Sequence, residues 1–178
     1  ANAVIVTTAS RLVVKNGIAD VIKALKELPD NYCFYICGAG ELENNLKQLT
    51  HSLNLEKRVV FAGYQSHEKL PKILKASDIF IRPSITEGLG NSFLEAMAAG
   101  LPTIGTPVGG ITDFLQDGIT GIVCQPQNPA SIAQAIARAA GLSVEEKSSL
   151  HQNAMKIIKE KYNWDYIANR MDYLFKQL

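Results

Sequence analysis

The sequence predicts a doubly wound α/β domain: a parallel sheet of about six strands with helices on both faces. Three observations carry that prediction. Short apolar and β-branched runs alternate along the chain with longer segments of helical period. The apolar runs lack the polar alternation of half-exposed strands, as strands covered on both faces do. The length of 178 residues, 47% of them apolar, fits one domain. A chain of that size buries about 70% of its unfolded surface.

The elements follow in order. Residues 3–8 are a β-branched run and the first strand. Residues 17–28 carry apolar side chains at Ile18, Val21, Ile22, Leu25 and Leu28, one face of a helix. Pro29-Asp-Asn31 punctuates, and residues 32–37 form a second, continuously apolar strand. Residues 41–53 read as helix, 58–62 as strand, 67–75 as helix and 78–82 as the fourth strand. A helix over 92–99 precedes a fifth strand at 102–105, and a sixth strand spans 121–124. The remainder is helical, over 129–140, 144–161 and 164–178. No repeat, low-complexity tract or linker divides the chain, so residues 1–178 are expected to form one domain.

Composition excludes several function classes. Eighteen Lys and Arg against 17 Asp and Glu leave a net charge of +1. That removes the electrostatic reason to expect nucleic acid or an anionic membrane as the main partner. Nowhere do about 18 apolar residues run together, so no transmembrane helix is expected. The first eight residues carry neither a basic start nor a cleavage pattern and are not expected to be a signal peptide. Cys33, Cys37 and Cys124 are odd in number. Cys33-x-x-x-Cys37 falls in a predicted strand with no second Cys/His cluster, so core packing in a reducing compartment is the expectation. His51, His67 and His151 lack helical pairing, and no metal site is expected.

In such sheets, ligands bind beyond the carboxyl ends of the strands, where strand order reverses. That rule selects the loops at residues 9–17, 38–41, 63–66, 83–91 and 106–110. The fourth-strand loop leads into Glu87-Gly-Leu-Gly-Asn-Ser-Phe-Leu-Glu95. Its glycines let backbone approach a ligand, and a helix begins just after them, a favourable place for phosphate. Carboxylates are acceptors suited to the paired hydroxyls of a ribose or hexose. The same residues also allow a structural reading, because Ser92-x-x-Glu95 has the spacing of a capping box. Arg11 and Lys15 follow the first strand. They form a cation pair suited to a diphosphate leaving group, or two solvated surface charges. Gly38-Ala-Gly40 lacks the third glycine of the dinucleotide fingerprint, and Thr106-Pro-Val-Gly109-Gly110 is another flexible turn at the same edge. Their convergence on one sheet edge favours a ligand site.

Glu87 and Glu95, set within Glu-Gly-Leu-Gly-Asn-Ser-Phe-Leu-Glu-Ala-Met-Ala-Ala-Gly-Leu-Pro, resemble the signature of the group 1 retaining glycosyltransferases of GT-B fold. Ser10-Arg-Leu-Val-Val-Lys-Asn-Gly17 resembles the family's Gly-Arg-Leu-x-x-x-Lys-Gly segment. Cys37-Gly-Ala-Gly-Glu41, Val59-Val-Phe-Ala-Gly63 and Ala76-Ser-Asp-Ile-Phe-Ile-Arg-Pro-Ser84 resemble its following segments in order. Gly109-Gly-Ile-Thr-Asp113 and Asp117-Gly-Ile-Thr-Gly121 resemble its later turns, and Trp164 with Ile167 its closing helix.

The resemblance implies the C-terminal, donor-binding half of a two-domain GT-B enzyme, with the N-terminal acceptor half outside this chain. It implies a UDP- or GDP-linked sugar as donor substrate, no metal and no other cofactor. Glu95 would hold the ribose hydroxyls and Glu87 the hydroxyls of the donor sugar. Backbone at Gly88, Leu89, Gly90 and Asn91, together with Gly38 and Gly40, would line the nucleotide-sugar site, and Arg11 would stabilise the departing diphosphate. The family's lysine position is occupied by Asn16, and Lys15, one place earlier, is taken for that cation; Ser10 replaces the family's first glycine. The implied reaction is retaining transfer of a hexosyl unit to an acceptor hydroxyl in polysaccharide or glycolipid assembly. It would take place in the cytoplasm, with peripheral membrane contact through the other half. Little transfer is expected from this half alone. A non-catalytic sugar-nucleotide-binding module and a nucleotide-sugar epimerase are the alternative readings.

Overall fold

The computed structural model describes residues 3–177. Six strands form one sheet: β1 (Val4–Ala9), β2 (Tyr32–Cys37), β3 (Val59–Gly63), β4 (Ile79–Arg82), β5 (Thr103–Gly105) and β6 (Ile122–Val123). Their order is β3-β2-β1-β4-β5-β6, and every neighbouring pair is parallel. The helices among the described residues are α1 (Ile18–Ala24), α2 (Glu43–Ser52), α3 (Leu70–Lys75), α4 (Asn91–Ala98), α5 (Pro129–Ala140), α6 (Val144–Lys161) and α7 (Trp164–Phe175). This is the doubly wound arrangement that the apolar strands predict.

β4 shows how the strand period builds two cores. Ile79 and Ile81 point into one, shared with Val21 and Ile22 of α1, Leu46 of α2 and Ile136 of α5. Phe80 points the other way, into a core with Leu74 of α3, Phe93 and Met97 of α4 and Ala154 of α6. A strand flanked by two dry faces must be apolar throughout, which is why no polar alternation is visible in the sequence. In the second core, Phe80 packs edge-on to Phe93 at 5.5 Å, and Phe114 follows at 6.0 Å. These rings seat the start of α4 against the sheet.

The boundaries differ from the sequence pattern in a few places, each with a local cause. The helix expected over 17–28 is α1 followed by a tighter turn at Leu25–Glu27, because the chain must stop before Pro29. The helix expected from residue 67 begins at Leu70, with Pro71 in its first turn, where a missing N–H costs nothing. The sixth strand shrinks to Ile122–Val123 at the sheet edge. The last helix is described to Phe175; its expected end, residue 178, lies outside the described residues, as do residues 1 and 2. α7 has no buried residue. The three cysteines are free, with Cys37 in β2 and Cys124 just past β6 buried, and Cys33 in β2 half-buried.

Candidate functional site

β1 pairs with β2 along its whole length but meets β4 only at Val6–Ile79 and Thr7–Phe80. Beyond that point the two central strands run on unpaired with each other, so a crevice opens between their carboxyl ends. This is the reversal of strand order where doubly wound sheets bind ligands. A cleft of about 280 Å³ lies there, lined by residues after β1, β2 and β3 and by the first turns of α4. Five buried side-chain polar atoms lack a protein partner among the described residues. They belong to Thr8, Ser10, Asn16, Arg82 and Ser84, all at the ends of β1 and β4 or just beyond. Unpaired buried polar groups are rare, and their gathering at one edge marks it as a functional edge.

The walls of the cleft are held by backbone. Ser10 N–H donates to the Cys37 carbonyl and Leu12 N–H to the Ala39 carbonyl, both at 3.0 Å. This contact is so close that a Cβ on Gly38 would lie 1.8 Å from the Ser10 oxygen. Glycine is therefore required for the approach of the two loops. Asn16 is 4% exposed and donates its Nδ2 to the Arg11 carbonyl at 2.7 Å, closing the turn after β1. With its backbone fixed on both sides, Arg11 directs an exposed side chain along the cleft.

Across the cleft stands α4. Gly90, at φ +70°, precedes the helix without a side-chain cap, and Ser92 sits inside the first turn. Ser92 Oγ accepts from Arg82 Nη1 at 3.0 Å, and the Glu95 carboxylate has no hydrogen-bond partner among the described residues. The capping-box reading of Ser92 and Glu95 is thereby overturned: the helix starts two residues too early for Ser92 to cap it. A true capping box occurs elsewhere, at Ser143 and Glu146. Glu95 is exposed and lines the cleft.

Of the predicted residues, the cleft brings together Arg11, Gly38 and Glu95. Glu87, Lys15, Gly40 and the run Gly88, Leu89, Gly90 and Asn91 do not line it. Gly88–Asn91 lie immediately before Ser92, which does, and Lys15 accepts Ile85 N–H at 2.7 Å, tying the loops after β1 and β4 together. Glu87 turns inward: its carboxylate bonds Arg82 Nη2 and accepts its neighbour's Gly88 N–H at 3.1 Å. Gly109 stacks on this loop so closely that a Cβ would lie 1.9 Å from the Glu87 oxygen. Burial pushes the Arg82 guanidinium below its ordinary pKa, while the charge and hydrogen bond of Glu87 push it back up. The ion pair persists at neutral pH, because an arginine keeps its proton in a protein.

Sequence reasoning missed four features. Tyr64, Gln65 and His67 line the cleft from the loop after β3. The topology rule had selected Tyr64 and Gln65, but no motif singled them out, and His67 read only as a scattered histidine. Arg82 carried a legible signal, a lone charge ending the apolar run Ile-Phe-Ile-Arg. Among the described residues, no group of three His, Cys, Asp or Glu side chains is placed to hold a metal, and no helix is long and apolar enough to cross a membrane.

The sequence profile described as "Glycosyl transferases group 1" matches residues 2–157. The chain belongs to that family. An uncharacterized glycosyltransferase of Methanocaldococcus jannaschii, MJ1607, is 33% identical over 168 residues, covering 93% of this chain and 43% of the relative. The lipopolysaccharide core biosynthesis glycosyltransferase LpsE of Rhizobium meliloti is 35% identical over 136 residues, covering 76% and 39%. The chain thus spans less than half the length of these relatives. Anabaena HepE, solved in complex with UDP-glucose, superposes at a TM-score of 0.91 with 24% identity, over 99% of this chain and 50% of that one. That likeness shows the fold: this group 1 chain has the Rossmann-like form of one half of a GT-B enzyme.

Proposed function

We propose that this group 1 chain is the donor-binding half of a metal-independent retaining glycosyltransferase. It holds a UDP- or GDP-linked hexose for transfer to an acceptor hydroxyl in polysaccharide or glycolipid assembly. The observation that carries the reading is the pairing, across one cleft, of an exposed arginine with a carboxylate that has no protein partner. Arg11 meets the diphosphate and stabilises the charge that develops as it leaves. Glu95 accepts the two ribose hydroxyls, a use for an exposed carboxylate that makes no structural bond. The start of α4, with Gly88, Leu89, Gly90 and Asn91 leading into it, offers N–H groups to phosphate and sugar. Gly38 and Gly40 keep the opposite wall thin.

The acceptor half belongs to another part of the same protein, in keeping with relatives about twice as long. The exposed apolar residues of α7, Trp164, Met171, Leu174 and Phe175, support a covering partner of this kind. Peripheral membrane contact, a cytoplasmic location and the loss of transfer in the isolated half belong to the same proposal.

Asn16 favours a second reading. It is buried in the position the family gives to a lysine, and Lys15 does not line the cleft. In this reading Arg11 is unaided at the diphosphate, which suits a binding module without catalysis. The deciding experiment is calorimetric titration with UDP, GDP and ADP in the absence of metal, beside Glu95→Gln. Binding of one nucleotide, weakened about tenfold in the variant, is the expected result. A nucleotide that binds wild type and variant equally overturns the role of Glu95. Failure of all three to bind the full-length protein overturns the reading.

A further inference from the structure

Arg82 ends β4, the central strand whose loop leads to the site, and it is only 7% exposed. An arginine is rarely buried to this degree unless it is paired. Here the loop that follows wraps around the guanidinium. Nη2 pairs with the Glu87 carboxylate, Nη1 donates to Ser92 Oγ at 3.0 Å, and the group lies 4.7 Å from the centre of the Phe93 ring. Just before α4, a Cβ on Gly90 would come within 2.7 Å of Nη2. One planar group therefore meets Glu87 midway along the loop, Gly90 at its end and the first turn of α4.

The geometry points to Arg82 as a positioning residue of the donor site, holding Glu87 and the start of α4 in one fixed arrangement for the donor sugar. This rests on the donor-site reading above, together with the contact that the family resemblance gives Glu87, with the hydroxyls of that sugar. The chemistry follows from the fork. Its two arms are divided, Nη2 to a Glu87 oxygen and Nη1 to Ser92 Oγ, so one rigid plane sets the loop carboxylate relative to the first turn of α4, which a point charge does not. One Glu87 oxygen is engaged by Arg82 while the other accepts Gly88 N–H, so the carboxylate cannot swing. Its charge is held by the cation beside it. The same cation, only through Ser92 and Phe93, fixes the helix start that faces the phosphates. Arg82 is buried, so it acts through Glu87 and the start of α4 rather than by contact with the sugar.

The test compares Arg82→Gln, Arg82→Lys, Glu87→Gln and the double variant in the full-length protein. Calorimetry gives Kd for UDP and UDP-glucose, with GDP and GDP-mannose in parallel, and urea melts follow folding. Arg82→Gln is expected to shift the ratio of the two Kd values about tenfold against the nucleotide sugar, with free nucleotide changed less than about threefold. Arg82→Lys should recover part of the ratio, and the double variant should be no worse than Glu87→Gln alone, because both act through one carboxylate. Equal weakening of nucleotide and nucleotide sugar, or additive losses in the double variant, would make Arg82 a plain strut and overturn the proposal. If Arg82→Gln fails to fold, the ratio measured for Arg82→Lys decides, and an unchanged ratio overturns it. Should wild type bind neither nucleotide nor nucleotide sugar, the donor-site reading fails and this role falls with it.

Discussion

Replacing Gly38 by alanine tests the idea that the cleft wall depends on backbone contact between the loops after β1 and β2. The residue has φ +153°, and an added Cβ would lie 1.8 Å from the Ser10 carbonyl oxygen. Both atoms belong to backbone or are fixed to it, so no side-chain rotation relieves the clash and the loops must separate. Ser10 N–H to Cys37 and Leu12 N–H to Ala39, each 3.0 Å, are the bonds that would open. Their loss costs about 2 kcal/mol together, and the strained conformation adds about 1–3 kcal/mol. A total near 4 kcal/mol is a large part of the stability of an ordinary domain, about 5–15 kcal/mol. Gly63 is the control. Its φ is +68°, but nothing lies within 4 Å of an added Cβ. Gly63→Ala should therefore cost only the left-handed penalty, about 1–2 kcal/mol. Equilibrium urea denaturation measures both, with unchanged slopes showing that the unfolded state is the same. Gly38→Ala should also lose UDP affinity, because the Arg11 backbone moves with Ser10 and Leu12. If Gly38→Ala is no more destabilised than Gly63→Ala, the close-approach argument is wrong.

Three further outcomes are expected. Arg11→Ala should weaken UDP roughly ten- to a hundredfold while leaving uridine nearly unchanged, since a charge-assisted contact is worth about 1.5–3 kcal/mol; equal losses for both ligands would remove its diphosphate role. Phe93→Ala should cost about 3–5 kcal/mol in urea melts, because the ring is fully buried between Phe80, Phe114 and Arg82; a loss under about 1.5 kcal/mol would mean the site collapses around the gap. Burial pushes the Cys124 thiol up to about 12, opposed by a backbone hydrogen bond. An unfolded thiol ionises near about 8.5, so above that pH the unfolded chain has shed a proton that the folded chain keeps, and stability falls as pH rises. The stability gap between wild type and Cys124→Ala should narrow from about pH 8 to about pH 10, and parallel profiles would refute the assignment.

The sheet was legible because its strands are dry on both faces. Runs such as Ile79-Phe-Ile81 carry no polar residue, and the turns between elements carry proline, glycine or asparagine. The edge that carries the cleft was legible for a related reason: in a doubly wound sheet, topology alone directs ligands to the carboxyl ends. Ends of elements were less so, since Gly90 rather than Ser92 precedes α4, and that choice depends on what the Ser92 hydroxyl meets across the loop.

What the sequence by itself determined is the order of elements, the two apolar faces and the loops that reach one edge, all set by local period and turn chemistry. What only the tertiary structure decided is which of those loops share a cleft and how their charges are spent. Arg11 and Glu95 are far apart in sequence, yet they line one cleft because β1 and β4 are neighbours whose ends diverge. Glu87 and Glu95 differ in the sequence only by their place before and after the glycines, but Arg82 engages one carboxylate and leaves the other to solvent. A charge's partner lies in three dimensions, so the role of a carboxylate is settled by packing and not by spacing.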